Sequence, residues 1–245
     1  MSGLDDLCEA MIVLVTGGTR GIGRGIAERF LARGDTVVVC GRTAPEGELD
    51  FVQADVRELA QVEGLIGEIT QRHGGLDVLV NNAGGSPPVD AATASPRFSE
   101  AVIRLNLVAP LVVAQVANAW MQAHDGGSII NIASVSGLRS SPGTAAYGAA
   151  KAGLINLTRS LAMEWAPRVR VNAVTPGLIQ TERSAEHYPD LEAVAETVPL
   201  GRMGTPRDVA EACLWLASDD AAWVSGSNLV VDGGGERPPF LGASS

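Results

Sequence analysis

The chain has 245 residues, 46% hydrophobic but only 4% aromatic, with a formal net charge of −10. That length suits one large α/β domain with a core of Val, Ile, Leu and Ala. The acidic balance, with no Lys/Arg tract, argues against nucleic acid as a partner, because a phosphate-backbone binder needs a clustered basic face.

Along the chain, apolar runs alternate with helical periodicity. "MIVLV" (11–15), "TVVVC" (36–40), "LDFVQA" (49–54), "LDVLVN" (76–81), "SIINIAS" (128–134), "VRVNAV" (169–174) and "NLVVD" (228–232) read as strands. Helix-length segments fall between them at about 22–33, 57–73, 96–123, 145–166 and 206–217. The last follows "TPRD", with Thr205 placed to cap it and Pro206 at its first position. This alternation predicts a doubly wound parallel sheet, a Rossmann domain of about seven strands with helices on both faces. No internal repeat or linker interrupts it, so residues 1–245 read as one domain, with the tail 235–245 fraying or docking on a neighbouring subunit.

Other classes fall away. Cys8, Cys40 and Cys213 are too few and too scattered for a disulfide framework, which suits a reducing cytoplasm. The N-terminus "MSGLDDLCEA" lacks the features of a signal peptide, and no run of 18 uninterrupted apolar residues suggests a membrane span. His73, His124 and His187 lie far apart with no ligand-spaced neighbours, so no metal site is expected. No Gly-x-Ser-x-Gly elbow supports a hydrolase.

The chemistry concentrates in three places. "VLVTGGTRGIGRGIA" follows the first strand and opens the first helix. Gly17 suits the tight turn, Gly21 lets backbone approach a pyrophosphate, and Gly23 lets helix and strand pack closely. The phosphates then sit over a helix N-terminus, where free N–H groups and the dipole favour anions. At the end of the second strand, where NAD binders carry an acid for the ribose 2′-OH, the sequence reads "VVVCGRT". Cys40 stands in the acid's place and Arg42 follows. With Arg20 in the glycine loop, this favours a 2′-phosphate and hence NADP(H), while NAD(H) stays open as the alternative.

The third place is "YGAAK". On a helix, Tyr147 and Lys151 lie one turn apart on one face. Two unit charges about 4 Å apart at an effective dielectric of about 20 interact by roughly 4 kcal/mol. That would lower a phenol's pKa by roughly three from its ordinary value of about 10, toward the range of a general acid/base. Ser134, at a strand end 13 residues earlier, reaches the same cavity. The plainer alternatives are an interfacial Tyr–Lys pair and an ordinary turn at "SVSG".

Taken in order, the glycine loop, "NNAG" (81–84), Asn106, Ser134, Tyr147-x-x-x-Lys151, "NAVTPGLIQT" (172–181) and "VDGG" (231–234) resemble the short-chain dehydrogenase/reductase family. The resemblance runs from about residue 11 to 234. The "PLGRMGTPRDVAEACLWLASDDAAWVSG" ending is most similar to the branch of 3-oxoacyl-thioester reductases and related alcohol and sugar dehydrogenases. It implies catalysis by Asn106, Ser134, Tyr147 and Lys151, with Asn106 fixing a water that relays protons toward Lys151. It also implies a nicotinamide cofactor held by Gly17, Thr19, Arg20, Gly21, Ile22, Gly23, Arg42, Asp55, Val56, Asn82, Ala83, Gly84, Tyr147, Lys151, Pro176, Gly177, Ile179 and Thr181. Asp55 would accept a bond from the adenine amino group, or instead cap the helix at 57–73. Thr181 would reach the carboxamide, or cap a following helix. Residues 178–204, with Glu182, Arg183, His187 and Tyr188, would form a lid over a small carbonyl or alcohol substrate. A homotetramer is implied as well, with helices 96–123 and 145–166 packing at one interface. The competing readings are a silent dinucleotide-binding regulator and a nucleotide-sugar epimerase or dehydratase, for which 245 residues leave little room.

Overall fold

The computed structural model describes residues 9–186 and 188–238; Cys8, His187 and tail residues 239–245 lie outside them. Seven strands are described: β1 (Ile12–Thr16), β2 (Thr36–Gly41), β3 (Asp50–Gln53), β4 (Val78–Asn81), β5 (Gly127–Ile132), β6 (Val169–Pro176) and β7 (Asn228–Val231). All pair in parallel, in the order β3-β2-β1-β4-β5-β6-β7. Each run read from sequence as a strand lies in this sheet.

Residues along each strand alternate between two cores. Leu14, Val38, Cys40 and Val52 face helices α2 (Leu59–His73), α4 (Ala109–Ala123) and α5 (Ala145–Trp165). Val13, Val15, Val37 and Val39 face α1 (Gly21–Arg33) and α7 (Pro206–Ala217). Both faces are covered, which is why the strands are near-continuous hydrophobic runs. Helices α1 and α7 touch closely: a Cβ on Gly25 would lie 2.4 Å from Pro206 Cβ. The α7 start is the expected one, a capping box in which Thr205 Oγ1 accepts from Asp208 N and Thr205 N donates to the Asp208 carboxylate.

The segment expected as one helix over 96–123 is interrupted. Helix α3 (Pro96–Ile103) passes through a π-helical turn, Arg104–Val108, before α4 begins. Pro110 supplies the reason, since it has no N–H for the Asn106 carbonyl and its ring crowds that carbonyl. The Ala109 N–H bonds to Arg104 O instead, five residues back. By length and composition, Pro96–Ala123 is apolar enough to cross a membrane. Here its Ala109, Val113, Ala114, Ala117 and Met121 belong to the core instead. A further short helix, α6 (Leu191–Thr197), lies within the segment expected as a lid; Asp190 caps it by accepting from Ala193 N.

One buried polar chain ties the layers together. Asn81 of β4 donates to Asn131 of β5, Asn131 donates to Thr158 of α5, and Thr158 donates to the Leu154 carbonyl. These links are 2.8–3.0 Å long and fully enclosed. Buried amides cost free energy unless they are bonded in this way.

Candidate active site

Strand β1 has β2 on one side and β4 on the other, so the winding of the sheet reverses there. Crevices at such switch points, at the carboxyl ends of strands, take ligands in open α/β sheets. The glycine loop follows β1 and the "NNAG" turn follows β4, on either side of this crevice. Thr16 Oγ1 accepts from the backbone N–H of both Asn82 and Ala83 at 3.0 Å, and the Asn82 side chain donates to Thr16 O and Gly17 O.

The loop glycines do separate jobs. Gly17 has φ +63° and Gly21 φ +55°, in the region that favours glycine. A Cβ on Gly21 would meet Thr181 Cγ2 at 3.7 Å and Glu182 Oε1 at 3.9 Å, ordinary contact distances, so its left-handed backbone rather than crowding calls for glycine. A Cβ on Gly23 would lie 2.3 Å from Asn82 Nδ2 and 2.4 Å from Gly17 O, so only glycine lets α1 approach the "NNAG" turn. Gly18, which the sequence reading left out, packs its Cα on Val39; a Cβ would lie 2.6 Å from Val39 Cγ1.

A cleft of about 1110 Å³ runs from this loop to Ser134, Tyr147 and Lys151. Thr19, Arg20, Ile22, Arg42, Asp55, Val56, Asn82, Ala83, Gly84, Pro176, Gly177 and Thr181 line it too. Two residues singled out from sequence do not. Ile179 packs against the α1/α7 core and bridges to Gly204. Asn106 is fully buried behind the cleft wall, where it exchanges two hydrogen bonds with the Gly85 backbone and donates to Val102 O. A Cβ on Gly84 would lie 2.6 Å from Asn106 Oδ1 and 3.4 Å from Lys151 Nζ, so glycine there keeps the cleft floor open.

Tyr147 and Lys151 do share a face of α5, but their electrostatics correct the sequence reading. Lys151 Nζ is buried, donates to Ile132 O at 2.7 Å, and lies 5.7 Å from the centre of the Tyr147 ring. Burial holds the Tyr147 phenol above its ordinary value, while a hydrogen bond with Ser134 works the other way. Burial alone pushes Lys151 down to about 8. In the protein by itself, desolvation therefore outweighs the expected lowering of the phenol by the ammonium. Ser134 Oγ also accepts from Ser136 N, which steadies the turn after β5.

The end of β2 needs a second correction. Cys40 borders the cleft, but its side chain turns away from it and is fully buried with Leu14, Val38 and Val62, where burial pushes the thiol up to about 12. Gly41, the next residue, faces the cleft, where a Cβ would meet Thr19 Cγ2 at 3.3 Å. Strand alternation explains the slip of one residue. No acid stands at either position. Among the described residues, neither the Arg20 nor the Arg42 side chain has a hydrogen-bond or ion-pair partner.

At the far end, Asp55 does not cap α2, whose N-cap is Glu58. Its carboxylate instead pairs with the Arg57 guanidinium, which holds it down at about 2. Arg57 also lines the cleft, and nothing in its spacing marked it in advance. Thr181 Oγ1 accepts from Arg183 N at 3.4 Å, just before a 3₁₀ turn at Ser184–Glu186. A second cavity of about 310 Å³ adjoins the Ser134 side, walled by Val135, Leu138 and Leu178 with Arg139, Glu236 and Arg237. The tail contributes to it, since Glu236 pairs with Arg139 and Arg237 N donates to Thr197 O. Among the described residues, no cluster of His, Cys, Asp or Glu is arranged to hold a metal.

Residues 17–236 match the family model described as Enoyl-(Acyl carrier protein) reductase. The chain belongs to the short-chain dehydrogenase/reductase family. It is 35% identical over 242 residues to 3-oxoacyl-[acyl-carrier-protein] reductase FabG of Thermotoga maritima, covering 92% of this chain and 98% of that one. It is 39% identical over 252 residues to 3beta-hydroxysteroid dehydrogenase 1 of Eggerthella lenta, covering 94% and 95%. Its structure resembles that of Thermoplasma acidophilum aldohexose dehydrogenase in ligand-free form, with a TM-score of 0.89 at 34% identity over 95% and 96% of the two chains. As a short-chain dehydrogenase/reductase it is an oxidoreductase acting on CH–OH or carbonyl groups with NAD(P)(H). The cleft fits such a dinucleotide on its own geometry. Gly21 N opens a helix N-terminus and donates to an anionic partner, here the Glu182 carboxylate, and Gly84 keeps the floor open beside Lys151.

Proposed function

We propose that this protein transfers a hydride between NADP(H) and a carbonyl or secondary-alcohol substrate, with a 3-oxoacyl thioester the first substrate to try. The observation that carries the proposal is the single cleft joining the glycine loop to Ser134, Tyr147 and Lys151. The preference for NADP(H) rests on Gly41, which leaves no carboxylate to repel a 2′-phosphate, and on the unpaired Arg20 and Arg42 guanidiniums beside it.

The bound nicotinamide supplies or accepts the hydride. Ser134 donates a hydrogen bond to the substrate oxygen and orients it toward Tyr147. Because burial raises the phenol, Tyr147 is neutral at pH 7 and holds the proton that the oxygen takes up in reduction. Lys151, still mostly protonated at pH 7, places a positive charge beside the developing alkoxide and holds ribose hydroxyls. Asn106 positions Gly85, and because Pro110 has no N–H to give the Asn106 carbonyl, that carbonyl is the group that would hold a relay water. Asp55 and Val56 bound the adenine, Asn82–Gly84 the ribose, and Pro176, Gly177 and Thr181 the nicotinamide, with Ile179 supporting that wall from behind.

The substrate chain enters the 310 Å³ cavity, where Val135, Leu138 and Leu178 suit an apolar group and the rim carries the Arg139–Glu236 pair together with Arg237. We take the chain as one cytoplasmic domain that assembles as a homotetramer. Sedimentation at micromolar concentration tests the assembly.

The function is tested by following NADPH and NADH consumption over ketones, quinones and 3-oxoacyl thioesters. Turnover with NADPH ahead of NADH is expected. Tyr147→Phe should cut turnover at least about 100-fold with its far-UV circular dichroism unchanged. A Tyr147→Phe protein as active as the wild type overturns the mechanism, and a protein that turns over no carbonyl substrate favours a binding-only role.

A further inference from the structure

The cleft contains an anion of its own. Glu182, at the start of the 178–204 segment, reaches across the mouth of the cleft, and its Oε1 accepts a hydrogen bond from Gly21 N at 3.0 Å. The two residues are 161 positions apart in sequence, so this contact is tertiary rather than a local turn. It falls where α1 most needs it. The N-cap of α1 is Arg20, which makes no side-chain cap, and the first turn of α1 holds no acidic residue. The free N–H groups and the positive end of the helix thus meet a carboxylate delivered by another element. Arg24, one turn into α1, attracts the same carboxylate, although its guanidinium is engaged with Glu28 and the Glu46 carbonyl.

We infer that Glu182 is a resident competitor for the pyrophosphate seat: it satisfies the α1 N-terminus in the free protein and must leave before a dinucleotide can bind there. The inference rests on the dinucleotide reading of the cleft. Carboxylate and phosphate oxygens answer to the same donors at this position, and both are anions, so the bare backbone of Gly21 serves one or the other. Thr181 and Ser184 anchor Glu182 from both sides, since Thr181 N donates to Ser184 Oγ at 2.8 Å. Displacing the carboxylate therefore tugs on the first turn of the segment that covers the substrate.

The experiment compares equilibrium binding of NADPH, ADP-ribose and 2′-AMP to the wild type, Glu182→Gln and Glu182→Ala by titration calorimetry. NADPH and ADP-ribose contain the pyrophosphate, whereas 2′-AMP occupies only the adenosine end. Both variants are expected to bind NADPH and ADP-ribose about 3- to 10-fold more tightly than the wild type, with 2′-AMP unchanged. Unchanged or weaker binding of the two pyrophosphate ligands overturns the inference and leaves the dinucleotide reading intact. An equal gain for all three ligands also overturns it, by pointing to a general charge effect. No binding of any ligand by the wild type removes the dinucleotide reading itself, and this inference with it.

Discussion

Replacing Lys151 by methionine isolates what it costs to bury that ammonium. Lys151 is enclosed, makes one hydrogen bond to the Ile132 carbonyl, and titrates near 8 instead of its ordinary 10.5. Between about pH 8 and 10.5 the unfolded chain holds this proton and the folded chain has released it. Folding stability therefore rises with pH across that window. Below about 8 the full cost of the buried charge is present, and above 10.5 it is gone. At about 1.4 kcal/mol per pH unit, the shift is worth roughly 3 kcal/mol at most.

The assay is urea unfolding, followed by circular dichroism at a fixed low protein concentration, for the wild type and Lys151→Met at several pH values from 7 to 10.5. Methionine keeps the length of the side chain but cannot titrate. The stability difference, wild type minus variant, should climb in the wild type's favour by about 1–3 kcal/mol from pH 7 to 10.5. Parallel curves, or a difference that falls with pH, would mean the ammonium is not desolvated as its surroundings imply. The pH reasoning applied to Tyr147 would then fail with it.

Two further outcomes follow from the cleft. Gly41→Asp places a carboxylate at the cleft end of β2, where its Cβ would meet Thr19 Cγ2 at 3.3 Å, so that Thr19 must give way by a few tenths of an ångström. The ratio of kcat/KM for NADPH over NADH should fall at least about tenfold, and an unchanged ratio would refute the role given to the missing acid. Gly23→Ala drives a methyl into Gly17 O and the Asn82 amide, both within 2.4 Å. It should cost about 1–3 kcal/mol in urea unfolding and weaken dinucleotide binding. Wild-type stability would show that α1 can retreat from the "NNAG" turn.

The strands were legible because a parallel sheet covered on both faces leaves little choice of residue: "TVVVC" and "VRVNAV" both fall in the sheet, each extended by a residue or two at its end. The start of α7 was legible for a local reason, since Thr205, Pro206 and Asp208 carry their own capping instructions. What escaped depends on directions in space. Whether Cys40 or Gly41 faces the cleft turns on the phase of one strand, which a continuous apolar run does not reveal. The π-helical turn at Asn106 comes from Pro110 four residues later, a signal that was present inside the segment expected as one helix over 96–123. The ordering of the Tyr147 and Lys151 titrations escaped because spacing gives their proximity but not their burial. Neither Glu182 on Gly21 nor Arg57 on Asp55 could be read from spacing, one being remote in sequence and the other an ordinary charged neighbour.

The Asn81–Asn131–Thr158 relay has a practical reach beyond stability. It keys the helix that bears the phenol and the amine to the middle of the sheet, independently of residues 178–204 and 235–238. Changes confined to the exposed part of residues 178–204, beyond Ile179, Thr181 and Glu182, which themselves touch the core or the cleft, therefore leave the Tyr147 and Lys151 side chains in register.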